Sequence, residues 1–369
     1  MNDKTSNRFI TMTAPCLEGG GGRNLLNLCI GFIDEGYRVD IIVDHFGGRY
    51  IDQFPDGVRF WTPRGSHPIF DVPWLAWYLI NRRPLAVLTA VPRHAVWMCR
   101  ARSVSGHQFR LVVNVHNDYI ESFKHLQFKK RQRRIRTIQR YYPRCDAVVP
   151  VSQGAARSFS NLSGIQESRL SVINNPVVTQ DLEDAGRCPV DHPWFKDQVV
   201  PVIVWVGRME PQKDLNTLLE SFLTLRGRLG CRLALIGDGA DSEKIKSKSK
   251  GSNYSGGITF LGYQANPFPF MKMASLLALS SRWEGFGNVL VEAMALGTPV
   301  VATNCPSGPA EILEYGRLGP IVPVGDVPAL ANAFERCIES PTDSSVLRQA
   351  AMKYAVNAVT KQYIRVLSA

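Results

Sequence analysis

The stretch from Ser275 to Ile312 constrains the fold of this chain more than any other part of the sequence. It begins with a short apolar run, Leu276–Leu279, which has the length and composition of a buried parallel strand. After a glycine-bearing polar turn, apolar residues recur at helical spacing from Val289 to Leu296, and Gly297 is placed to end that helix. Residues Thr298 to Ala302 predict the next buried strand. The pattern therefore predicts a strand–loop–helix–strand unit of an α/β protein.

The loop of this unit carries the residue types that suit an anionic, hydroxyl-rich ligand. A helix N-terminus offers unpaired backbone N–H groups and a partial positive charge, which favour phosphate. Gly285 and Gly287 allow the backbone to approach a ligand closely. Glu284 and Glu292 flank this position with carboxylates that can accept hydrogen bonds from sugar hydroxyls. An ordinary crossover with two solvated glutamates has the same spacing, so the spacing alone leaves both interpretations open.

The string around this loop, RWEGFGNVLVEAMALGTPVVATNCPSGPAEIL, resembles the signature of retaining, family 4 type glycosyltransferases (glycosyltransferase group 1). The similarity includes both glutamates, the EAMA-x-G-x-PVV core and the PSGPAEIL tail. It implies an α/β architecture of the GT-B type. In that architecture two Rossmann-like, doubly wound domains face each other across a cleft, and a C-terminal helix crosses back to the first domain.

Chain length is consistent with this architecture, because 369 residues exceed the usual size of a single hydrophobic core. The polar, proline-bearing stretch from Val177 to Val199 has the composition of an interdomain linker. We therefore expect domains at residues 1–180 and 181–345, followed by a C-terminal helix at 346–369. The resemblance implies that the first domain binds the acceptor and the second binds the nucleotide sugar.

Several features predict a cytoplasmic protein. The eight cysteines are scattered, without a C-x-x-C pair or metal-ligand spacing, which is typical of reduced thiols. The N-terminal sequence MNDKTSNRFITMTA has no long apolar segment, so we expect no signal peptide. No stretch approaches the ~20 apolar residues that a spanning helix needs.

The net charge of +11 is concentrated in the segment Lys129–Arg144, which holds eight Lys or Arg and no acid. A basic amphipathic helix of this kind can lie on an anionic membrane surface, bind nucleic acid, or present a solvated basic face. Many enzymes that the chain resembles use lipid-linked acceptors, which favours peripheral attachment to the inner face of the cell membrane. The candidate residues for a membrane or acceptor surface are Lys129, Lys130, Arg131, Arg133 and Arg134.

In the first half, a glycine loop at Gly19–Gly22 follows a predicted strand at Phe9–Ala14 and precedes a helix predicted from Arg23 to Glu35. This is the carboxyl end of the strand, where ligands bind in doubly wound domains. The dinucleotide fingerprint fails because Asn24 stands where its third glycine should be, and the chain has no Walker A lysine. The resemblance implies that Gly20, Gly21 and Gly22 approach the donor phosphates or the acceptor, and a plain tight turn is the alternative.

His116 directly follows the predicted strand Leu111–Val115, again at a carboxyl end. A lone histidine is more often structural than functional. Similar family members carry a histidine near the donor sugar at the corresponding place, which implies that His116 is a partner of a sugar hydroxyl or of the transition state. Asn117 is a weaker candidate beside it.

Arg208 and Lys213 lie in the loop after another predicted strand, Pro201–Val206. Two cations at that edge can neutralise a diphosphate, Arg as a fork and Lys as a point charge. The string VGRMEPQKDLNTLLESF resembles the G-R-x-x-x-x-K segment of the same family, which implies that these two residues bind phosphate. The remaining donor-binding positions that the resemblance implies are Gly207, Gly237, Gln264, Gly285, Phe286, Gly287, Asn288, Val289 and Leu290.

The resemblance implies a retaining hexosyltransferase with His116, Arg208, Lys213 and Glu284 as the catalytic set. It implies a nucleotide-diphosphate sugar as donor, UDP-sugar rather than GDP-sugar, and a saccharide or lipid-linked acceptor of cell-surface polysaccharide, lipopolysaccharide or glycolipid biosynthesis. The chain has no D-x-D triplet, so we expect no metal and no other cofactor. The alternatives are a sugar-nucleotide epimerase of the same fold and, ranked lower, a basic nucleic-acid-binding protein; we expect no nucleic acid partner.

Overall fold

A computed structural model of the protein describes residues 8–63, 68–197, 199–250 and 256–369. Within these ranges the chain forms two compact units. Unit 1 comprises the described residues up to Val177 together with Val356–Ala369, and unit 2 comprises Val178–Ala355.

Unit 1 is built on a six-stranded parallel sheet in the order β3-β2-β1-β4-β5-β6. Its strands are β1 (Phe9–Ala14), β2 (Arg38–Val43), β3 (Arg59–Trp61), β4 (Ala86–Thr89), β5 (Arg110–Val115) and β6 (Ala147–Pro150). The helices among them are α1 (Gly19–Asp34), α2 (Pro68–Arg82), α3 (Pro92–Ser105), α4 (Tyr119–Lys124), α5 (Phe128–Tyr141) and α6 (Gln153–Ser163). Side chains alternate along β1 and its neighbours, so the sheet contributes to separate apolar cores on its two faces.

Unit 2 repeats the same plan with the strand order β12-β11-β10-β7-β8-β9. Its strands are β7 (Val202–Val206), β8 (Arg232–Ile236), β9 (Ile258–Gly262), β10 (Leu276–Leu279), β11 (Val300–Thr303) and β12 (Ile321–Val322). Its helices are α7 (Leu182–Ala185), α8 (Pro193–Asp197), α9 (Leu215–Arg226), α10 (Ser242–Ser249), α11 (Phe268–Lys272), α12 (Asn288–Leu296), α13 (Pro309–Ile312), α14 (Val327–Glu339) and α15 (Ser344–Ala351). The predicted α/β class with two doubly wound parallel sheets is confirmed.

The strand order reverses between β1 and β4 in unit 1 and between β7 and β10 in unit 2. At such a switch point the loops after the two central strands diverge to opposite faces and leave a crevice, where ligands bind in open α/β sheets. The sheet order therefore marks one candidate ligand position in each unit.

The C-terminal helix α16 (Val356–Ser368) packs on α1 in unit 1, as predicted. The sequence predicts a single C-terminal helix at residues 346–369, but the structure divides this segment. A 3₁₀ turn at Met352–Tyr354 leads into extended backbone at Ala355, which forms a β-bridge with Val178. The division lets α15 stay on α12 in unit 2 while α16 belongs to unit 1.

The glycine loop predicted at Gly19–Gly22 is instead the first turn of α1. The Gly22 N–H donates to the carbonyl oxygen of Glu18 (3.0 Å), which already closes a helical turn. An added Cβ at Gly22 would come within 2.6 Å of the Leu17 backbone, so glycine is required there by packing.

The close approach of α1 and α16 depends on Gly31, where an added Cβ would lie 2.1 Å from Thr360 Oγ1. We expect Gly31→Ala to lower the free energy of unfolding by about 1–3 kcal/mol, because overpacking forces the helices apart. Urea or thermal denaturation monitored by circular dichroism measures this change. Gly21→Ala in the same helix is the matched control: no atom lies within 4 Å of its added Cβ, so its stability should be unchanged or higher. Equal stability of Gly31→Ala and wild type would contradict this account of the helix contact.

Candidate functional site

Two loops meet at the switch point of unit 2: the β7 loop (residues 207–214) and the β10 loop (residues 280–288). Ser280 Oγ donates to the carbonyl oxygen of Lys213 (2.7 Å), and Gln212 Nε2 donates to that of Trp283 (2.7 Å). In the other direction, the Arg282 N–H donates to the carbonyl oxygen of Gln212 (2.8 Å). These three hydrogen bonds hold the loops together as one structure.

Lys213 and Glu284 form an ion pair between the two loops. Lys213 Nζ lies 2.5 Å from Glu284 Oε1, and Ser281 Oγ donates to the same oxygen (2.6 Å). The Lys213 side chain is 19% exposed and that of Glu284 is 9% exposed. The pair is therefore mostly buried but still accessible to a ligand. A bound phosphate could pair with the Lys213 ammonium, and a sugar hydroxyl could donate a hydrogen bond to the Glu284 carboxylate.

Arg208 has a different environment. Its side chain is 69% exposed, and Nη1 lies 2.9 Å from Glu210 Oε1. Exposed ion pairs of this kind contribute only about 0–1 kcal/mol, so the guanidinium can leave Glu210 for a ligand at little cost. The structure brings Lys213 and Glu284 together and holds Arg208 at the rim of the same loop.

A second ion pair, between Asp214 and Arg282, also joins the two loops, and the sequence does not predict it. Arg282 Nε lies 3.1 Å from Asp214 Oδ2, and its Nη2 donates to Oδ1 (3.2 Å). Asp214 also accepts a hydrogen bond from Thr217 Oγ1 (2.9 Å) and has a left-handed backbone, with φ 44°. In the sequence Asp214 resembles an ordinary helix N-cap, and nothing local indicates its partner 68 residues away.

The N-terminus of α12 forms one side of this site. Gly287 precedes the helix with φ 105°, a conformation that favours glycine. Phe286 and Leu290 have buried side chains, and the ring of Phe286 packs edge-on against that of Tyr354 (centroids 5.3 Å apart). The Leu290 N–H donates to the carbonyl oxygen of Gly287 (3.0 Å). Phe286 and Leu290 therefore shape the turn, and the half-buried Asn288 and Val289 are the outward positions of the first helical turn.

The segment that follows β11 packs against the β10 loop. Gly308 has φ 94°, and an added Cβ there would lie 1.9 Å from the carbonyl oxygen of Phe286. The N–H of Glu284 donates to the carbonyl oxygen of Pro306 (3.3 Å). Burial, followed by the charge of Glu284, raises the pKa of the nearby Cys305 thiol, which stays neutral. Glu292 is buried one turn inside α12.

The loop after β8 touches the β7 loop through two glycines. Gly237 has φ 131°, and an added Cβ would lie 1.8 Å from the carbonyl oxygen of Gly207, so no other residue fits this approach. Gly237 is held by a hydrogen bond from its N–H to the carbonyl oxygen of Gly262 (2.7 Å). Gln264 closes its own turn, donating from Nε2 to the carbonyl oxygen of Leu261 (2.7 Å).

Unit 1 has a pocket at the carboxyl ends of β1, β4 and β5, beside the N-terminus of α1. It brings together Gly21, Gly22 and His116, whereas Gly20 is exposed and lies outside this lining. The lining residues are Met12, Thr13, Ala14, Pro15, Cys16, Glu18, Gly21, Gly22, Asn24, Leu25, Leu28, Leu88, Ala90, Val91, Asn114, His116 and Asn117.

His116 contributes a neutral ring to this pocket. Burial lowers its pKa to about 4, against an opposing hydrogen-bond effect of Asn175. Its Nδ1 is buried and has no hydrogen-bond partner among the described residues. Because the folded pKa lies below the unfolded value, His116 lowers stability as the pH falls from about 6.5 toward 4 and has no such effect at pH 7. At neutral pH it can therefore act as a hydrogen-bonding group and not as a cation.

Asp44, which follows β2, does not line this pocket itself but is connected to it through His94 and the lining residue Thr13. Its carboxylate is paired with Arg93 and accepts from His94 Nε2 (3.0 Å), while His94 Nδ1 lies 2.9 Å from Thr13 Oγ1. Burial raises the pKa of Asp44, but the hydrogen bond and charge of His94, together with Arg93, lower it overall. Asp44 therefore stays ionised, held by Arg93 and by the hydrogen bonds that link it through His94 to Thr13.

The predicted basic amphipathic helix is present as α5. Ile138 and Tyr141 face the core, and the outer face presents the cations. Lys129, Lys130, Arg133 and Arg134 are exposed, and Arg131 is half-buried. In the described part of the chain, no helix has the length and apolar character needed to cross a bilayer.

Two protein-family models match the chain, one in each half. The model described as Glycosyltransferase Family 4 matches residues 18–181, and the model described as Glycosyl transferases group 1 matches residues 200–340. Together they cover most of the chain, including both loops of unit 2 and the lining residues of the unit 1 pocket from Glu18 onward.

Curated proteins with similar sequences are also named as glycosyltransferases. The lipopolysaccharide core biosynthesis glycosyltransferase LpsE of Rhizobium meliloti is 29% identical over 236 residues, 62% of this chain and 66% of the relative. The lipopolysaccharide 1,6-galactosyltransferase of Escherichia coli K12 is 29% identical over 212 residues, 54% of each chain. The chain thus spans about half to two thirds of the length of these relatives.

Solved structures share the fold over nearly the whole chain. Anabaena HepE in complex with UDP and glucose aligns with a TM-score of 0.81 at 21% identity, covering 98% of this chain and 99% of that one. The apo form of the lipopolysaccharide outer core galactosyltransferase WaaB aligns with a TM-score of 0.74 at 19% identity, covering 97% and 98%. The two family matches establish that the chain belongs to the family 4, group 1 glycosyltransferases, and these alignments establish that it has the GT-B fold.

Proposed function

We propose that this chain is a retaining hexosyltransferase that moves a sugar from a UDP-sugar to a saccharide or lipid-linked acceptor. The observation that carries the proposal is the Lys213–Glu284 pair, which holds a cation and a carboxylate together beside the N-terminus of α12. A diphosphate and a sugar hydroxyl are the ligand groups that this combination suits. Unit 2 is the proposed nucleotide-sugar domain and unit 1 the proposed acceptor domain.

The names of the relatives support the substrate class. Two of them act in lipopolysaccharide synthesis, and a Campylobacter jejuni relative, 26% identical over 198 residues, is named for a diphospho-undecaprenol acceptor. HepE was solved with UDP and glucose. By analogy we assign this enzyme a UDP-sugar donor and a role in cell-surface polysaccharide, lipopolysaccharide or glycolipid biosynthesis.

Lys213, Arg208 and the first turn of α12 are the proposed diphosphate-binding groups. Negative charge grows on the leaving diphosphate as the glycosidic bond breaks, and preorganised cations and backbone dipoles stabilise that charge. Lys213 is already fixed by Glu284, whereas Arg208 can swing in from its exposed pair with Glu210. The cations of the protein thus take the role of a metal, and the absence of a D-x-D triplet fits this assignment.

The carboxylates of Glu284 and Glu292 are the proposed hydrogen-bond acceptors for the hydroxyls of the donor. Glu292, buried inside α12, would bind the ribose, and Glu284 would bind the transferred sugar. A double displacement would need a free carboxylate nucleophile. Glu284 Oε1 instead accepts from both Lys213 and Ser281, which suits hydroxyl recognition better than attack. We therefore propose transfer on one face of the sugar, with the leaving phosphate helping to deprotonate the acceptor and neutral His116 bonding a hydroxyl.

UDP should raise the melting temperature of the wild-type protein more than GDP does, because binding to the folded state stabilises it. Lys213→Met and Arg208→Ala should each weaken UDP binding by about 10- to 100-fold, since each removes a charge-assisted hydrogen bond. Isothermal titration calorimetry measures the dissociation constants.

Arg228→Ala is the matched control, because Arg228 is also a partly exposed arginine of unit 2 with a carboxylate partner, Glu335 (3.1 Å). Its UDP affinity should equal that of wild type. Unchanged UDP affinity in both Lys213→Met and Arg208→Ala would rule out the diphosphate assignment.

Transfer from UDP-sugar should proceed at its full rate in excess EDTA, because protein cations neutralise the leaving group. Release of UDP from UDP-glucose or UDP-galactose, followed with and without EDTA, measures this. An activity that EDTA abolishes and added Mg²⁺ restores would show that the enzyme requires a metal.

We also propose that α5 holds the enzyme on the anionic, cytoplasmic face of a membrane. Each Lys or Arg near such a surface contributes about 1 kcal/mol. Replacing Lys129, Lys130, Arg131, Arg133 and Arg134 with Gln should therefore lower binding to phosphatidylglycerol vesicles by more than about tenfold. Sedimentation with vesicles measures the bound fraction, and phosphatidylcholine vesicles are the control. Equal sedimentation of both proteins would leave α5 as a solvated surface helix.

A further inference from the structure

The pocket of unit 1 contains a buried amide that the proposed mechanism does not use. Asn114 interrupts the otherwise apolar end of β5, is 2% exposed, and lines the pocket two residues before His116. A buried amide in a strand costs stability unless its oxygen and its nitrogen both find partners. Both Oδ1 and Nδ2 of Asn114 therefore need a hydrogen-bond partner.

The Nδ2 end of the Asn114 amide has its partner on the C-terminal helix. Asn114 Nδ2 donates to the hydroxyl oxygen of Tyr363 on α16 (3.0 Å), across 249 residues of sequence. Tyr363 is fully buried, and α16 is held against α1 by the Gly31–Thr360 approach. The ring of Tyr363 is thus fixed, and its hydroxyl oxygen holds the Nδ2 end of the Asn114 amide.

The other end, Oδ1, has no partner among the described residues. Asn114 Oδ1 is buried and makes no hydrogen bond to the described residues, and the same is true of His116 Nδ1 in the same pocket. An unsatisfied buried acceptor costs about 1–3 kcal/mol. Asn114 Oδ1 and His116 Nδ1 thus lie in one ligand-sized pocket without hydrogen-bond partners. This arrangement indicates a binding site in which a ligand supplies the missing hydrogen bonds.

The charge of the lining restricts what that donor can be. The described lining residues include no Lys or Arg, one acid, Glu18, and a histidine that is neutral at pH 7. A diphosphate would find no cationic side chain among these residues, whereas the hydroxyls of a neutral sugar could satisfy both Asn114 Oδ1 and His116 Nδ1. The shared chemistry is a pyranose hydroxyl, which either the acceptor or the transferred sugar could supply; we assign it to the acceptor because unit 1 is the proposed acceptor domain.

We propose that Tyr363 is a positioning residue that orients Asn114 so that its Oδ1 accepts a hydrogen bond from a hydroxyl of the acceptor saccharide. This inference rests on the proposed glycosyltransferase function and adds a specificity-determining contact to it. The C-terminal helix then has a role in substrate recognition as well as in stability. Without the Tyr363 hydroxyl, Nδ2 loses its partner, and the amide can rotate away from the orientation that presents Oδ1 to the pocket.

The experiment measures binding of methyl α-glucopyranoside and methyl α-galactopyranoside, the probes for a neutral acceptor ring, by saturation-transfer NMR. UDP and UDP-glucose are titrated in parallel. Wild type should bind at least one glycoside saturably, and Tyr363→Phe and Asn114→Leu should each weaken that binding by about tenfold, the value of one hydrogen bond. The double variant should bind no more weakly than Asn114→Leu alone, because Tyr363 acts through Asn114. Affinity for UDP should not change.

Tyr142→Phe is the control, since Tyr142 is a fully buried tyrosine of unit 1 that does not line the pocket. Its glycoside affinity should equal that of wild type. Should Asn114→Leu fail to fold, Tyr363→Phe, which removes a single oxygen atom, decides the matter.

Several results would overturn the inference. These are wild-type glycoside affinity in Tyr363→Phe, additive losses in the double variant, or an equal loss in Tyr142→Phe. Loss of UDP-glucose affinity with unchanged UDP and glycoside affinity would assign the pocket to the transferred sugar and overturn the acceptor assignment. Intact UDP binding without any glycoside binding in wild type would refute this inference alone, whereas absence of UDP binding would refute the proposed function.

Discussion

The ion pair of Lys213 with Glu284 exists because β7 and β10 are neighbours in the sheet, although the two residues lie 71 positions apart. Parallel strands bring their carboxyl ends to one edge, and the reversal of strand order sends the following helices to opposite faces. The two loops are left side by side, where backbone and side-chain hydrogen bonds lock them together. Everything proposed about donor binding depends on that adjacency.

Unit 1 uses the same strand order for a pocket of different chemistry. The loops of unit 2 present Arg208 and Lys213, which suit an anionic group, whereas the described pocket of unit 1 has no cation in its lining. Unit 1 instead carries a run of cations on the outer face of α5. One topology used twice thus carries side chains of different charge at its two switch points.

The parts of the fold that the sequence predicted well are those that local physics dominates. Strands Phe9–Ala14 and Leu276–Leu279 were predicted to the residue, because a short apolar run between polar turns fits a buried parallel strand. The edge strands Arg59–Trp61 and Ile321–Val322 were missed, because two or three residues carry no periodicity. The glycines at 19–22 were assigned to a loop from their intrinsic preference, which the packing of α1 overrode.

Consecutive residues are enough to predict the two doubly wound sheets, the family, and the positions of Arg208, Lys213, Glu284 and His116 at strand ends, because apolar periodicity and motif spacing are local properties. The pairing of polar groups, in contrast, depends on three-dimensional packing. Asp214 with Arg282 and Asn114 with Tyr363 are joined across 68 and 249 residues. Such pairs depend on how helices and strands pack in three dimensions, and no local pattern in the chain encodes the direction in which a distant side chain will face.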